Sequence, residues 1–203
     1  MKIAIIGTGN IGGSLATKWA LKGHTILLGV KNLSQFKGKN LLKNPNTSVL
    51  SIAEAVLMAE VVLVATPSTA VLELLPQLGN VKGKVLIDSS NSIRQSPDPY
   101  KTLYHCLAEN TNGEIVKCFN ITGFENIINP IYQGVGIDMF MAGDSDRAKQ
   151  VVSQLSLDAG FGSCIDFGKS DKVELLEKFA LCWINLAIMQ EQGRGIAFKL
   201  VRR

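Results

Sequence analysis

Short apolar runs alternate with amphipathic stretches through the first 120 residues of this 203-residue chain. Ile3-Ala4-Ile5-Ile6 is apolar at every position, the pattern of a strand buried on both faces. Asn10 to Leu21 follows with helical periodicity, Gly23-His24 turns the chain, and Thr25-Ile26-Leu27-Leu28 reads as a second strand. Ser51 is placed to cap a short helix beginning Ile52-Ala53-Glu54. Glu60-Val61-Val62-Leu63-Val64-Ala65 predicts a third strand, which Thr66-Pro67-Ser68 ends before a helix from Thr69 to Leu78. Lys84 to Asp88 is a fourth strand, followed by the polar turn Ser89-Ser90-Asn91-Ser92. Pro97-Asp98-Pro99 breaks the chain ahead of a helix over about Tyr100 to Glu109. Glu114 to Phe119 is a fifth strand, ending at Asn120.

Strands and helices taking turns in this way predict an α/β fold, a doubly wound parallel sheet. From Gly123 the pattern changes: a short helix and loop over Asn126 to Gln133 broken by Pro130, a strand Gly136 to Gly143, and a helix Ser145 to Ala159. A short strand Ser163 to Phe167 and a long apolar helix over about Lys172 to Gln190 complete the chain. Neither repeats nor a low-complexity linker separate the two parts. The division expected is therefore residues 1–122 as a Rossmann-type binding domain and 123–203 as a small C-terminal α/β extension packed on the first sheet.

The first strand leads into Gly7-Thr8-Gly9-Asn10-Ile11-Gly12, a G-x-G-x-x-G between strand and helix, the context in which that motif signals a dinucleotide. Gly7 permits the tight turn, Gly9 the approach of a pyrophosphate, and Gly12 close packing of helix on strand. The free N–H groups at the helix start attract phosphate charge. After the second strand an NAD-preferring site places Asp or Glu, which repels the 2′-phosphate of NADP. Here the chain reads Gly29-Val30-Lys31-Asn32. Lys31 can pair with a phosphate, and Asn32, Ser34 and Thr8 can add hydrogen bonds, so the cofactor expected is NADP. In such sheets the ligand lies beyond the carboxyl ends of the strands. That places Thr66, Pro67, Asn91 and Asn120 on the same rim, as cofactor contacts.

Composition narrows the chemistry. With 46% hydrophobic and 19% charged residues the chain is of the globular class. A net charge of +4, without an arginine-rich or aromatic-interleaved basic patch, gives no footprint for nucleic acid. The apolar stretch Phe179 to Met189 is interrupted by Asn185 and too short for a bilayer. With the first strand at the very start, the expectation is a cytoplasmic chain with no signal peptide and no membrane partner. Cys106, Cys118, Cys164 and Cys182 have no metal-like spacing and read as reduced core thiols. No metal-ligand cluster, Cys/His pair or carboxylate pair falls in a useful place, and Asp88 reads as the cap of the turn after its strand. His24 and His105 lie away from the rim and read as structural, so no catalytic residue is assigned. Reduction of a ketone normally wants a Lys, His or Tyr to protonate the oxygen. Hydride transfer to a flavin-like ring depends more on stacking, approach distance and exclusion of water. The shortage of acid–base groups tilts the reading towards a planar redox acceptor.

With these residues in hand, the chain resembles the NADPH-dependent coenzyme F-420 reductases (F-420-dependent NADP oxidoreductases) nearly end to end. Gly7-Thr8-Gly9-Asn10-Ile11-Gly12 matches their phosphate loop, and Gly29-Val30-Lys31-Asn32 stands where they usually carry Gly-Ser-Arg. Phe119-Asn120, Asp138 to Gly143 and Ile196-Ala197-Phe198-Lys199-Leu200 are similar to the C-terminal half of bacterial members. The resemblance implies an oxidoreductase in which NADP lies on the first domain, with a deazaflavin (coenzyme F-420) or a flavin as co-substrate stacking on its nicotinamide. It implies a small C-terminal domain completing the acceptor cleft, and a homodimer formed through the C-terminal helices. Val30 and Lys31 in place of a hydroxyl residue and Arg weaken bidentate recognition of the 2′-phosphate. Two other readings stand beside this one. An imine or keto-acid reductase shares the N-terminal fold but follows it with a larger helical domain, and a non-catalytic NADP-binding redox sensor would bind without turnover.

Overall fold

Eight strands form one twisted sheet in the order β10-β9-β6-β5-β4-β1-β2-β3 in the computed structural model, which describes residues 1–203. The binding half consists of β1 (Lys2–Ile6), α1 (Asn10–Leu21), β2 (Thr25–Val30), β3 (Thr47–Ser51), α2 (Ile52–Met58), β4 (Val61–Val64), α3 (Val71–Leu78), β5 (Val85–Asp88), α4 (Leu103–Asn110) and β6 (Glu114–Cys118). Its six strands are all parallel and lie in the order 3-2-1-4-5-6, the Rossmann arrangement with its crevice between β1 and β4. Register explains why the rim is level. Ile6 pairs with Gly29 and with Val64, Val64 with Asp88, and Asp88 with Lys117, so the turns that follow all leave the sheet at one height.

The later residues add α5 (Phe124–Ile128), a two-stranded ribbon β7 (Ile131–Tyr132) and β8 (Val135–Gly136), β9 (Asp138–Ala142), α6 (Asp146–Asp158), β10 (Ser163–Gly168) and α7 (Val173–Ile184). β9 joins β6 antiparallel and β10 joins β9 parallel, so residues 123–203 continue the same sheet. α7 runs on into a π-helical turn, Asn185–Met189. The remaining tail crosses back over the sheet. Phe198 stacks on Phe179 with centroids 4.5 Å apart, and Asp138 receives hydrogen bonds from Lys199 Nζ (3.1 Å) and the Leu200 N–H (2.8 Å).

One core cluster spans both halves and is built from strand residues buried on both faces, such as Ile3, Ile5, Leu63 and Ile87. Each such side chain contributes roughly 1.5–3 kcal/mol by leaving water. Trp19 welds α1 to the later elements: its ring meets Phe119 edge-on at 5.7 Å and its Nε1–H donates to the Leu155 carbonyl at 2.8 Å. No helix is long and apolar enough to cross a membrane.

Three sequence expectations are corrected. Thr47–Ser51, passed over as loop, is an edge strand, so the expected third, fourth and fifth strands are β4, β5 and β6. Cys182 is exposed on α7 and Cys164 is half-buried, so only Cys106 and Cys118 are core thiols. The carboxylates Asp88 and Glu177 do converge, on the buried Lys117. Both histidines are structural: His24 sits between the terminal amine of Met1 (3.2 Å) and Asp158 (2.9 Å), and His105 lies 2.7 Å from the Thr102 hydroxyl at the start of α4.

Candidate active site

The three glycines of the N-terminal turn differ in what surrounds them. Gly7 has φ +100°, and a Cβ there would stand 2.5 Å from the Ala65 carbonyl oxygen. A Cβ on Gly12 would be 2.0 Å from the Gly7 carbonyl oxygen. Both are demanded by the fold itself. At Gly9 a Cβ would meet nothing within 4 Å, and φ is an ordinary −78°. Nothing in the protein itself requires that position to be bare. Gly9 is also the N-cap of α1, where no side chain caps the helix and no acidic residue stands in the first turn. The first-turn N–H groups are therefore open to an anion.

On one side of this turn lies a cavity of about 270 Å³, lined by Gly7, Thr8, Lys31, Asn32, Thr66 and residues of α3. Thr66 Oγ1 is buried there without a partner in the protein. Asn32 Oδ1 accepts from the Ser34 N–H and hydroxyl and the Gln35 N–H, which leaves its Nδ2 as a free donor beside Lys31. The Thr8 hydroxyl donates to the Lys37 carbonyl and pins the basic loop against the glycine turn. Lys31 Nζ reaches across to Glu73 on α3 at 2.6 Å. The Lys31 ammonium and the Asn32 Nδ2 on this side are donors that could hold a phosphate.

On the other side a cavity of about 220 Å³ is lined by Asn10, Ile11, Asn91, Asn120, Trp183 and Arg194 among others. Asn91 and Asn120 hold each other: Asn91 Nδ2 donates to the Asn120 carbonyl at 2.8 Å, and Asn120 Nδ2 to Asn91 Oδ1 at 3.0 Å. Asn120 Oδ1 is left buried with no partner. An orphaned acceptor at this depth is costly unless a ligand donor satisfies it. A carboxamide N–H of a nicotinamide is such a donor. The Arg194 guanidinium lies 5.4 Å from the Trp183 ring and 5.9 Å from that of Phe124, and donates to Glu125 Oε1 at 2.5 Å. Burial pushes the Glu125 carboxyl up, but Arg194 outweighs it and holds the group below the ordinary glutamate range.

Beneath this second cavity sits a charge cluster that sequence reasoning missed. Lys117 is fully buried in β6, with Nζ 2.8 Å from Asp88 Oδ2 and 2.6 Å from Glu177 Oε1 on α7. The free oxygens of the two carboxylates face the turn between them: Asp88 Oδ1 accepts from the Ser90 N–H and hydroxyl, and Glu177 Oε2 from the Ser92 N–H. Asn91 is carried between those anchored residues. Asp88 thus caps its turn as expected and also holds a buried lysine. Arg194 and Trp183 were missed as well, although the adjoining Ile196 to Leu200 stretch carried part of the family resemblance.

The structure therefore gathers most of the predicted contacts around the glycine turn. Gly7, Thr8, Lys31, Asn32 and Thr66 line the first cavity, and Asn10, Ile11, Asn91 and Asn120 the second. Gly9 lies in a third hollow of about 630 Å³ behind the turn, shared with Thr8, Asn10 and Lys37. Gly12 packs against the Gly7 carbonyl, and Pro67 shapes the turn after β4, where Ser68 donates to the Gln95 carbonyl at 2.6 Å.

Comparison with known proteins bears on the fold. Residues 2–92 match the family NADP oxidoreductase coenzyme F420-dependent. The chain is 25% identical over 217 residues to the F420-dependent NADP reductase of Methanocaldococcus jannaschii, covering 97% of each protein. It superposes on a solved Arthrobacter sp. FB24 structure, assigned as an F420-dependent NADP-reductase, with TM-score 0.86, 24% identity and full coverage of both chains. A reductive aminase from Aspergillus terreus in complex with NADPH shares the fold more loosely, with TM-score 0.68 and 16% identity, over 94% of this chain and 62% of that one. Residues 2–92 are thus similar to coenzyme F420-dependent NADP oxidoreductases, and similarity to an F420-dependent NADP reductase runs along the full length of the chain.

Proposed function

We propose that this protein transfers hydride between NADPH and a planar acceptor, a deazaflavin such as coenzyme F-420 or a flavin. The observation that carries the reading is the make-up of the second cavity. Among its lining residues there is no Lys, His, Tyr, Cys, Asp or Glu, so the protein offers no proton donor of suitable pKa to a carbonyl or imine. It offers an aromatic wall, a flat guanidinium and paired amides instead, which suit stacking and orientation.

In this reading residues 1–122 bind the dinucleotide and 123–203 close the acceptor cleft. Gly9 and the open N-terminus of α1 receive the pyrophosphate, and Lys31 and Asn32 take the 2′-phosphate. Thr66 and Asn120 supply hydrogen bonds from the rim, the latter accepting at the carboxamide. Ile11, Trp183 and Arg194 exclude water from the reacting faces. NADPH itself supplies the hydride; the proton that accompanies reduction of the acceptor comes from solvent. The exposed apolar side chains of the C-terminal helix, Leu181, Ile188 and Met189, support the reading of a homodimer joined through that helix.

The test is anaerobic oxidation of NADPH by the pure protein with oxidised coenzyme F-420, and with FMN as control. Saturable turnover with the deazaflavin is expected. Tight NADPH binding with turnover of cyclic imines or keto acids alone overturns the acceptor assignment, and tight binding with no turnover at all favours a sensor.

A further inference from the structure

Lys31, the residue read here as the holder of the 2′-phosphate, already has a partner. Its Nζ lies 2.6 Å from Glu73 Oε2, and both side chains are mostly exposed. Glu73 stands in the first turn of α3. Ala70, Leu74 and Gln77 line the adenosine cavity, and at helical spacing Glu73 belongs to the face they form. The ion pair thus joins the two walls of that cavity, from the end of β2 to α3. Hydrogen bonding and charge from Lys31 hold the Glu73 carboxyl below the ordinary glutamate range, so it is an anion wherever the protein works.

We propose that Glu73 sets the margin by which this protein prefers NADPH over NADH, as an internal stand-in for the 2′-phosphate. A phosphate reaching Lys31 must displace the carboxylate and then remain close to it, two anions competing for one cation. NADH carries a 2′-hydroxyl there, leaves the ion pair intact, and can donate to the same carboxylate. Glu73 therefore opposes one cofactor and tolerates the other, without touching the reacting ring. This inference rests on the assignment of Lys31 to the 2′-phosphate, and the experiment separates the two.

Calorimetric titration of NADP+ and NAD+ into wild type, Lys31→Met, Glu73→Gln and the double variant reads binding without turnover. Because both side chains are exposed, neither substitution threatens folding. Lys31→Met is expected to weaken NADP+ about tenfold or more and NAD+ far less. Glu73→Gln is expected to tighten NADP+ roughly three- to tenfold while NAD+ is unchanged or weaker. In the double variant most of that gain should vanish, since no cation remains to be released. If Lys31→Met is selective but Glu73→Gln shifts neither cofactor, or both equally, the role of Glu73 is overturned and that of Lys31 stands. If Lys31→Met shows no selectivity, the assignment of Lys31 fails and the stand-in with it.

Discussion

Single residues divide sharply into those packed against protein and those that face open space. Gly9 and Gly12 belong to one motif, yet a side chain at Gly12 would strike the Gly7 carbonyl while one at Gly9 would enter open space. Gly9→Val should fold with an unchanged circular dichroism spectrum and melting point, yet lose dinucleotide binding by calorimetry. Gly12→Val should unfold at markedly lower denaturant. Retained affinity in Gly9→Val would remove the turn as the phosphate site. The place of the motif between β1 and α1, and that of Lys31 just past β2, were legible because local chain order dictates both. Lys117 was not, because Ile115-Val116-Lys117-Cys118 shows only a lone charge in an apolar strand. Its partners arrive from 29 residues before and 60 residues after. Removing it leaves two carboxylates buried together, so Lys117→Met should cost about 3–5 kcal/mol in chemical denaturation.

Elements were legible where they carried their own punctuation. Ser51 and Glu54 form a reciprocal capping box, with Ser51 Oγ accepting from the Glu54 N–H at 3.3 Å and Glu54 Oε2 from the Ser51 N–H at 3.0 Å. That pair starts α2 at the residue the sequence indicated. β3, ending at the same Ser51, was hidden because Thr-Ser-Val-Leu-Ser is polar at three of its five places and lies at the sheet edge, where no long apolar run is required. The tail after α7 has no periodicity at all and is tied down at its end by Asp138. Burial pushes the Asp138 carboxyl up, but the Ser163 hydroxyl, the Leu200 N–H and Lys199 outweigh it and hold the group below the ordinary aspartate range. A depressed folded-state value means that its stabilisation is complete above about pH 4 and is lost as pH falls through that lower value. Asp138→Asn should therefore be less stable than wild type by roughly 1–3 kcal/mol at pH 7. The gap should narrow in denaturation measured progressively below about pH 4, and a gap that stays constant would remove Asp138 as the acid-sensitive tie.

At the scale of the molecule, the doubly wound parallel sheet followed from alternation, whereas the way residues 123–203 join the sheet did not. An antiparallel β9 beside β6 depends on which edge is free when the chain returns, and no local pattern encodes that. If α7 joins two copies, sedimentation should show a dimer, and Leu181→Glu should give a monomer that keeps its fold. The two tryptophans of the chain are also divided between core and cavity. Trp19 is sealed in the core against Phe119, while Trp183 lines the second cavity with its Nε1–H donating to the Ile196 carbonyl at 2.6 Å. In a Trp19→Phe protein all remaining indole emission would arise at the cleft. A planar acceptor arriving there should quench it, so the molecule carries its own optical gauge of occupancy, readable before any electron has moved.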